Sequence, residues 1–149
     1  MKIVNQAGTI VLNGYLRGLS NGDWQYVHLK DGYLSATSPG QMTNAEKQNA
    51  QFEFTFHTGE NNKISIKSTA TDPLRRNSFL SVSNIGPAVM NRPYDAMIPL
   101  RYWSSSRYNT IPTYHITGDN GYNFRIASNG NVYADADIPN STEFRISGE

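Results

Sequence analysis

Residues 21–36 read NGDWQYVHLKDGYLSA: a run of alternating apolar and polar side chains, an Asp-Gly break, and a second alternating run. A similar phrase, NGYNFRIASNGNVYADA, returns at residues 120–136. Alternation at period two marks a half-buried strand, and Asp-Gly between two such runs is a strong local hairpin signal. A chain that repeats strand, turn and strand is built from copies of one structural piece. Such a piece cannot bury its apolar face alone and must pack against its copies.

Aligned by strand, the chain divides into three units of four. The first runs GYLRGLS (14–20), QYVHLK (25–30), GYLSATS (32–38) and AQFEFTF (50–56). The second runs NKISIKS (62–68), NSFLSVS (77–83), GPAVMN (86–91) and PLRYWS (99–104). The third runs PTYHIT (112–117), YNFRIAS (122–128), GNVYADA (130–136) and TEFRIS (142–147). Each closing strand offers two apolar side chains at period two: Phe52 and Phe54, Leu100 and Tyr102, Phe144 and Ile146. No stretch sustains a helical period, and AEKQNA (45–50) supports a single turn. GTIVLNGYLRG near the start is taken as the first strand, the other reading being an extra hairpin that dimerises the chain.

Four strands three times over resembles the β-trefoil fold across residues 9–147, with repeats at about 9–57, 58–107 and 108–149. The phrases YVHLKDGYLSA…AQFEF and NGNVYADA…TEFRI are most similar to fascin-like and agglutinin-type trefoils. The resemblance implies an all-β, pseudo-threefold barrel capped by hairpins, in one domain covering residues 1–149. The Gln-x-Trp signature of ricin-type trefoil lectins is absent, since the closing strands read FEF, RYW and FRI.

With 149 residues and no cysteine, the chain can bury a core without staples and has no disulfide, thiolate metal site or Cys nucleophile. The net charge of +1 argues for neither nucleic acid nor membrane as partner. No apolar run reaches membrane-span length, and MKIVNQAGTIVLNG has no signal-peptide core. The expectation is a cytoplasmic protein, or a secreted one without disulfides. Charge is uneven: Lys63, Lys67, Arg75, Arg76, Arg92, Arg101 and Arg107 make the middle unit basic. Arg75-Arg76 is read as a solvated loop, because no stacking aromatic is interleaved with it.

No Gly-x-Ser-x-Gly elbow, Walker A loop or HExxH motif occurs, and His28, His57 and His115 are isolated in sequence. Asp135 and Asp137 fall on one strand face about 7 Å apart, a spacing that reads as a solvated strand end rather than a glycosidase pair. Asn140-Ser141-Thr142 is a glycosylation sequon. No cofactor or metal is expected, and no enzymatic activity.

The informative stretches combine a ring with an acid and amides. Asp23 and Trp24 sit in NGDWQ between the first two strands of unit one, and Asp119, Asn120 and Tyr122 hold the matching place in unit three. Tyr33, Asn131 and Tyr133 follow on the third strands. A flat ring suits the C–H face of a pyranose, and Asp and Asn groups suit its hydroxyls. These eight residues predict calcium-independent glycan binding by a small lectin, with glycans or glycoproteins as partners and a homodimer allowed. A protein-binding trefoil is the alternative, either a protease inhibitor using a Pro-bearing loop, 69–76 or 92–98, or a fascin-like actin-binding module.

Overall fold

The computed structural model describes residues 2–4, 10–57, 62–69, 78–83, 86, 88–92, 100–104 and 113–148. Among them thirteen strands join one antiparallel network. In chain order they are β1 (Lys2–Val4), β2 (Ile10–Ser20), β3 (Asp23–Lys30), β4 (Tyr33–Thr37), β5 (Gln51–His57), β6 (Lys63–Ser68) and β7 (Phe79–Val82). There follow β8 (Val89–Arg92), β9 (Leu100–Ser104), β10 (Tyr114–Thr117), β11 (Asn123–Ile126), β12 (Val132–Ala136) and β13 (Phe144–Ser147).

Six of these strands close a barrel. β2 pairs β5, β5 pairs β6, β6 pairs β9, β9 pairs β10, β10 pairs β13, and β13 returns to β2. Closure leaves these strands no free edge. Gly14 is needed where β13 returns: a Cβ there would overlap the Ser147 carbonyl oxygen. The interior is filled by Leu16, Phe52, Phe54, Ile66, Leu100, Ile116 and Phe144, each at most 2% exposed. Phe144 meets Phe124 edge to face, with ring centroids 6.4 Å apart.

Three hairpins, β3–β4, β7–β8 and β11–β12, extend from barrel strands β2, β6 and β10. Two-residue turns with positive φ at both positions close β2–β3 (Asn21 53°, Gly22 75°) and β3–β4 (Asp31 54°, Gly32 82°). This backbone matches the twist of the flanking strands and is open to Asn, Asp and Gly at little cost. The hairpins then touch one another at the start of their second strands. Tyr33 pairs Met90, Ala88 pairs Tyr133, and Asn131 pairs Ser35. Between those pairs Leu34, Val89 and Val132 point inward and are at most 1% exposed.

The phrase repeated at 21–36 and 120–136 is thus hairpin β3–β4 and hairpin β11–β12. The helical turn expected at 45–50 is α1 (Asn44–Gln48), whose capping box joins Thr43 and Glu46. Two local expectations change. Asp23 and Trp24 are strand residues, paired with Ser20 and Leu19, because Asn21-Gly22 suffices for the turn. The start of the chain is both first strand and hairpin: β2 enters the barrel, and β1 pairs its leading residues, Lys2 opposite Leu12 and Val4 opposite Ile10.

Candidate functional site

Where the three hairpins meet, the surface opens into a cleft of about 460 Å³. Tyr33, Asn131 and Tyr133 line it, with Lys30, Asp31 and Ser83. Alternation explains this convergence. Leu34 and Val132 take buried positions of β4 and β12, so Tyr33 before the one and Asn131 and Tyr133 around the other turn toward the surface. Tyr33 is 43% exposed, high for an aromatic side chain. The Asn131 amide donates to the Tyr133 hydroxyl at 3.3 Å, and the Arg125 guanidinium lies 5.8 Å from the Tyr133 ring centroid. Hydrogen bonds from Asn131 and Asn129 hold the Tyr133 phenol below its usual pKa. The cleft therefore presents aromatic rings, an amide, a hydroxyl and one charge of each sign.

The other five expected residues lie elsewhere. Tyr122 is 56% exposed beside a second, open depression of about 590 Å³ that also takes in Arg125, Asp135, Asp137 and Asn140. There Arg125 grips Asp135 with two hydrogen bonds of 2.9 Å. That fork lowers the Asp135 pKa and raises that of Arg125, so the pair stays ionised. Asp137 accepts a 2.6 Å hydrogen bond from the Asn140 amide, so each carboxylate has its own local partner. Asp119 accepts from the Val82 backbone N–H at 3.4 Å. Asn120 shapes its turn, donating to the Ala134 carbonyl at 2.9 Å and accepting from the Tyr122 N–H at 3.1 Å. Trp24 has the Arg145 guanidinium 4.5 Å from its ring centroid, and Asp23 is half-buried at the head of β3.

Sequence reasoning did not single out Lys30, Asp31 and Ser83 for the cleft. The Asp31-Gly32 turn was visible, but nothing local says that it stands beside β12. Also missed was a small polar groove of about 220 Å³ between the first and third hairpins, which includes Asn21, Gln25, Gln41 and Asn129.

His28 is 1% exposed, and its Nε2 lies 2.9 Å from Thr37 Oγ1 and 3.3 Å from a Glu46 oxygen. Burial lowers its pKa. His115 lies 2.6 Å from the Ser141 hydroxyl, and burial lowers its pKa too. Among the described residues no group of three or more His, Asp and Glu could hold a metal ion, and no helix is long and apolar enough to cross a membrane. Arg75 and Arg76 lie outside the described residues, as do the loops 69–76, 92–98 and 104–112 apart from Thr69, Arg92 and Ser104.

No protein-family model matches the chain, and no curated protein sequence matches it.

Proposed function

We propose that the chain is a β-trefoil lectin that binds carbohydrate in the cleft where its three hairpins meet. The fold reading is supported by the order of hairpin contacts. The residues paired are 33 with 90, 88 with 133, and 131 with 35. Each hairpin meets the next through a residue and the one two positions further on, and the third returns to the first. That is the pattern three copies around an axis would make.

One observation carries the functional reading. Tyr33, Asn131 and Tyr133, singled out for sugar chemistry on residue type alone, line one cleft although they come from distant parts of the chain. The Tyr33 and Tyr133 rings offer flat apolar faces for pyranose C–H groups. The Asn131 amide, Asp31 and Lys30 offer donors and acceptors for hydroxyls. A shallow site of this kind binds weakly, by stacking and hydrogen bonding, and needs no calcium.

The test is a glycan array with wild type, a Tyr33→Ala/Tyr133→Ala variant and a Trp24→Ala/Tyr122→Ala variant. The expected result is a selective signal in wild type that the first variant loses while keeping its melting temperature. A silent array from folded wild type removes the lectin reading. A signal lost only in the second variant moves the sugar away from the hairpin junction.

A further inference from the structure

A second surface bears on what kind of sugar this would be. On the outer face of β13–β2–β3, Arg145 stands directly opposite Arg17, and Arg17 stands directly opposite Tyr26. Opposed side chains on neighbouring strands lie within about 5.5 Å at their Cβ atoms, and like charges in that position repel. Neither arginine forms an ion pair among the described residues, where the carboxylates with ion-pair partners are Glu46, Glu53 and Asp135.

Both guanidinium groups are nevertheless held in place. Arg17 lies 4.5 Å from the Tyr26 ring centroid and donates to the Trp24 carbonyl from Nη2 at 2.9 Å and from Nε at 3.3 Å. Arg145 lies 4.5 Å from the Trp24 ring centroid. Tyr15 braces Tyr26 from the side, with ring centroids 5.3 Å apart. Arg145 Nε is shut away from solvent and has no hydrogen-bond partner. A buried N–H is normally paired, and a guanidinium matches a planar or tetrahedral oxyanion with two parallel donors. Two repelling cations on one sheet face, each laid on an aromatic ring and neither paired with a carboxylate among the described residues, form a site that favours a negative charge.

We propose that Arg17 and Arg145, backed by Tyr26 and Trp24, bind the carboxylate or sulfate of an acidic saccharide. The inference rests on the glycan-binding reading above and specifies the ligand class. It also gives Trp24 a role: its ring supports an arginine instead of lying against the sugar.

The experiment follows the Nε–H NMR signals of Arg17 and Arg145 during titration with three size-matched tetrasaccharides, one carrying uronates, one carrying sulfates and one neutral. At least one acidic tetrasaccharide should shift both signals. It should bind about tenfold or more tighter than the neutral one, as charge-assisted hydrogen bonds imply, and less tightly as salt rises. Whether the uronate or the sulfate produces the effect identifies the group. Arg17→Gln and Arg145→Gln should each abolish the preference in protein that still folds. If Arg145→Gln does not fold, Arg145→Lys, which keeps the charge but loses the fork, should weaken the preference at least threefold. Equal binding of neutral and acidic tetrasaccharides, with signal changes confined to the hairpin cleft, overturns this inference and leaves the lectin reading standing. Full acidic preference in folded Arg145→Gln or Arg145→Lys also overturns it. Failure of both acidic tetrasaccharides to shift either signal in folded protein overturns this inference as well, while the glycan array decides the lectin reading.

Discussion

Hairpins β3–β4 and β11–β12 share a sequence phrase and a place on the barrel, yet they offer ligands different surfaces. In the first, the strands run straight into a buttress: α1 packs behind them and Glu46 reaches His28, while Arg145 covers a face of Trp24. In the second, the ring at the matching end, Tyr122, is left open beside the Arg125–Asp135 pair. The alternating apolar positions set the backbone and are alike in both. The outward positions and the segment after the hairpin decide what is exposed. Similarity between the two hairpins therefore carries strand and turn structure, but not what their outward positions expose.

The strongest challenge to this view addresses the part the repeats share. If the units contribute equivalently to one core, Phe52→Ala in the first and Phe144→Ala in the third should each cost about 3–5 kcal/mol in urea unfolding, since both side chains are fully buried. A loss confined to one of them would mean that the units are not equivalent. A smaller effect is expected where the hairpins differ. Tyr33→Ala/Tyr133→Ala should reduce glycan affinity about tenfold or more, roughly 1.4 kcal/mol, with little change in stability. Tyr122→Ala should do clearly less, because its depression is open and shares no wall with the other hairpins.

Strand positions were legible because alternation is written locally. Phe52-x-Phe54 and Asn131-Val132-Tyr133 declare which side chains face in, and Asp31-Gly32 declares its turn. Two kinds of information were not local. Asn21-Gly22-Asp23 reads as one turn cluster and so puts Trp24 in a loop; only the cross-strand partner, Leu19, shows that the turn is two residues long. The cleft itself is made by the meeting of residues 33, 88 and 131, which no window of the sequence contains. The arginine pair was hidden for the same reason: Arg17 and Arg145 lie at opposite ends of the chain and become neighbours only when β13 closes on β2. Residue type suggested the chemistry at Tyr33, Asn131 and Tyr133, whereas topology brought those residues together.

The buttress behind β3–β4 makes that hairpin the acid-sensitive one. His28 faces Thr37 from β4, Glu46 from α1 and the Leu29 carbonyl, with Lys30 adjacent on its own strand. Burial is the main cause of its lowered pKa. The unfolded chain therefore takes up the proton first. The stability due to neutral His28 is fully present above its unfolded value of 6.5 and is lost as pH falls through the lower folded value. Glu46, lowered chiefly by the Thr43 backbone hydrogen bond, works in the same direction but only below the ordinary carboxylate value of 4.5. His28→Gln should thus flatten the fall in melting temperature between about pH 7 and pH 5. His115, also lowered by burial, contributes a remaining slope that His115→Gln would remove. Hydrogen exchange during acidification should open the amides of β3 and α1 before those of β11. The reverse order would mean that the buttress does not govern acid sensitivity.

The smallest effect belongs to the Arg125–Asp135 fork on the other hairpin. Its geometry is good, with two 2.9 Å hydrogen bonds, but both side chains are about one-third exposed, so water and salt screen it. A double-mutant cycle with Arg125→Gln and Asp135→Asn should give a coupling of only about 0.2–1 kcal/mol, falling as salt rises. Its consequence for binding is separable from stability. Arg125 also sits near the Tyr133 ring, so releasing it from Asp135 leaves it free to change how that ring is presented to the cleft. Asp135→Asn should therefore change glycan affinity more than it changes the melting temperature, although Asp135 lies outside the cleft. Equal small changes in both would confine the fork to ordinary surface pairing and leave Tyr133 oriented by Asn131 and Asn129.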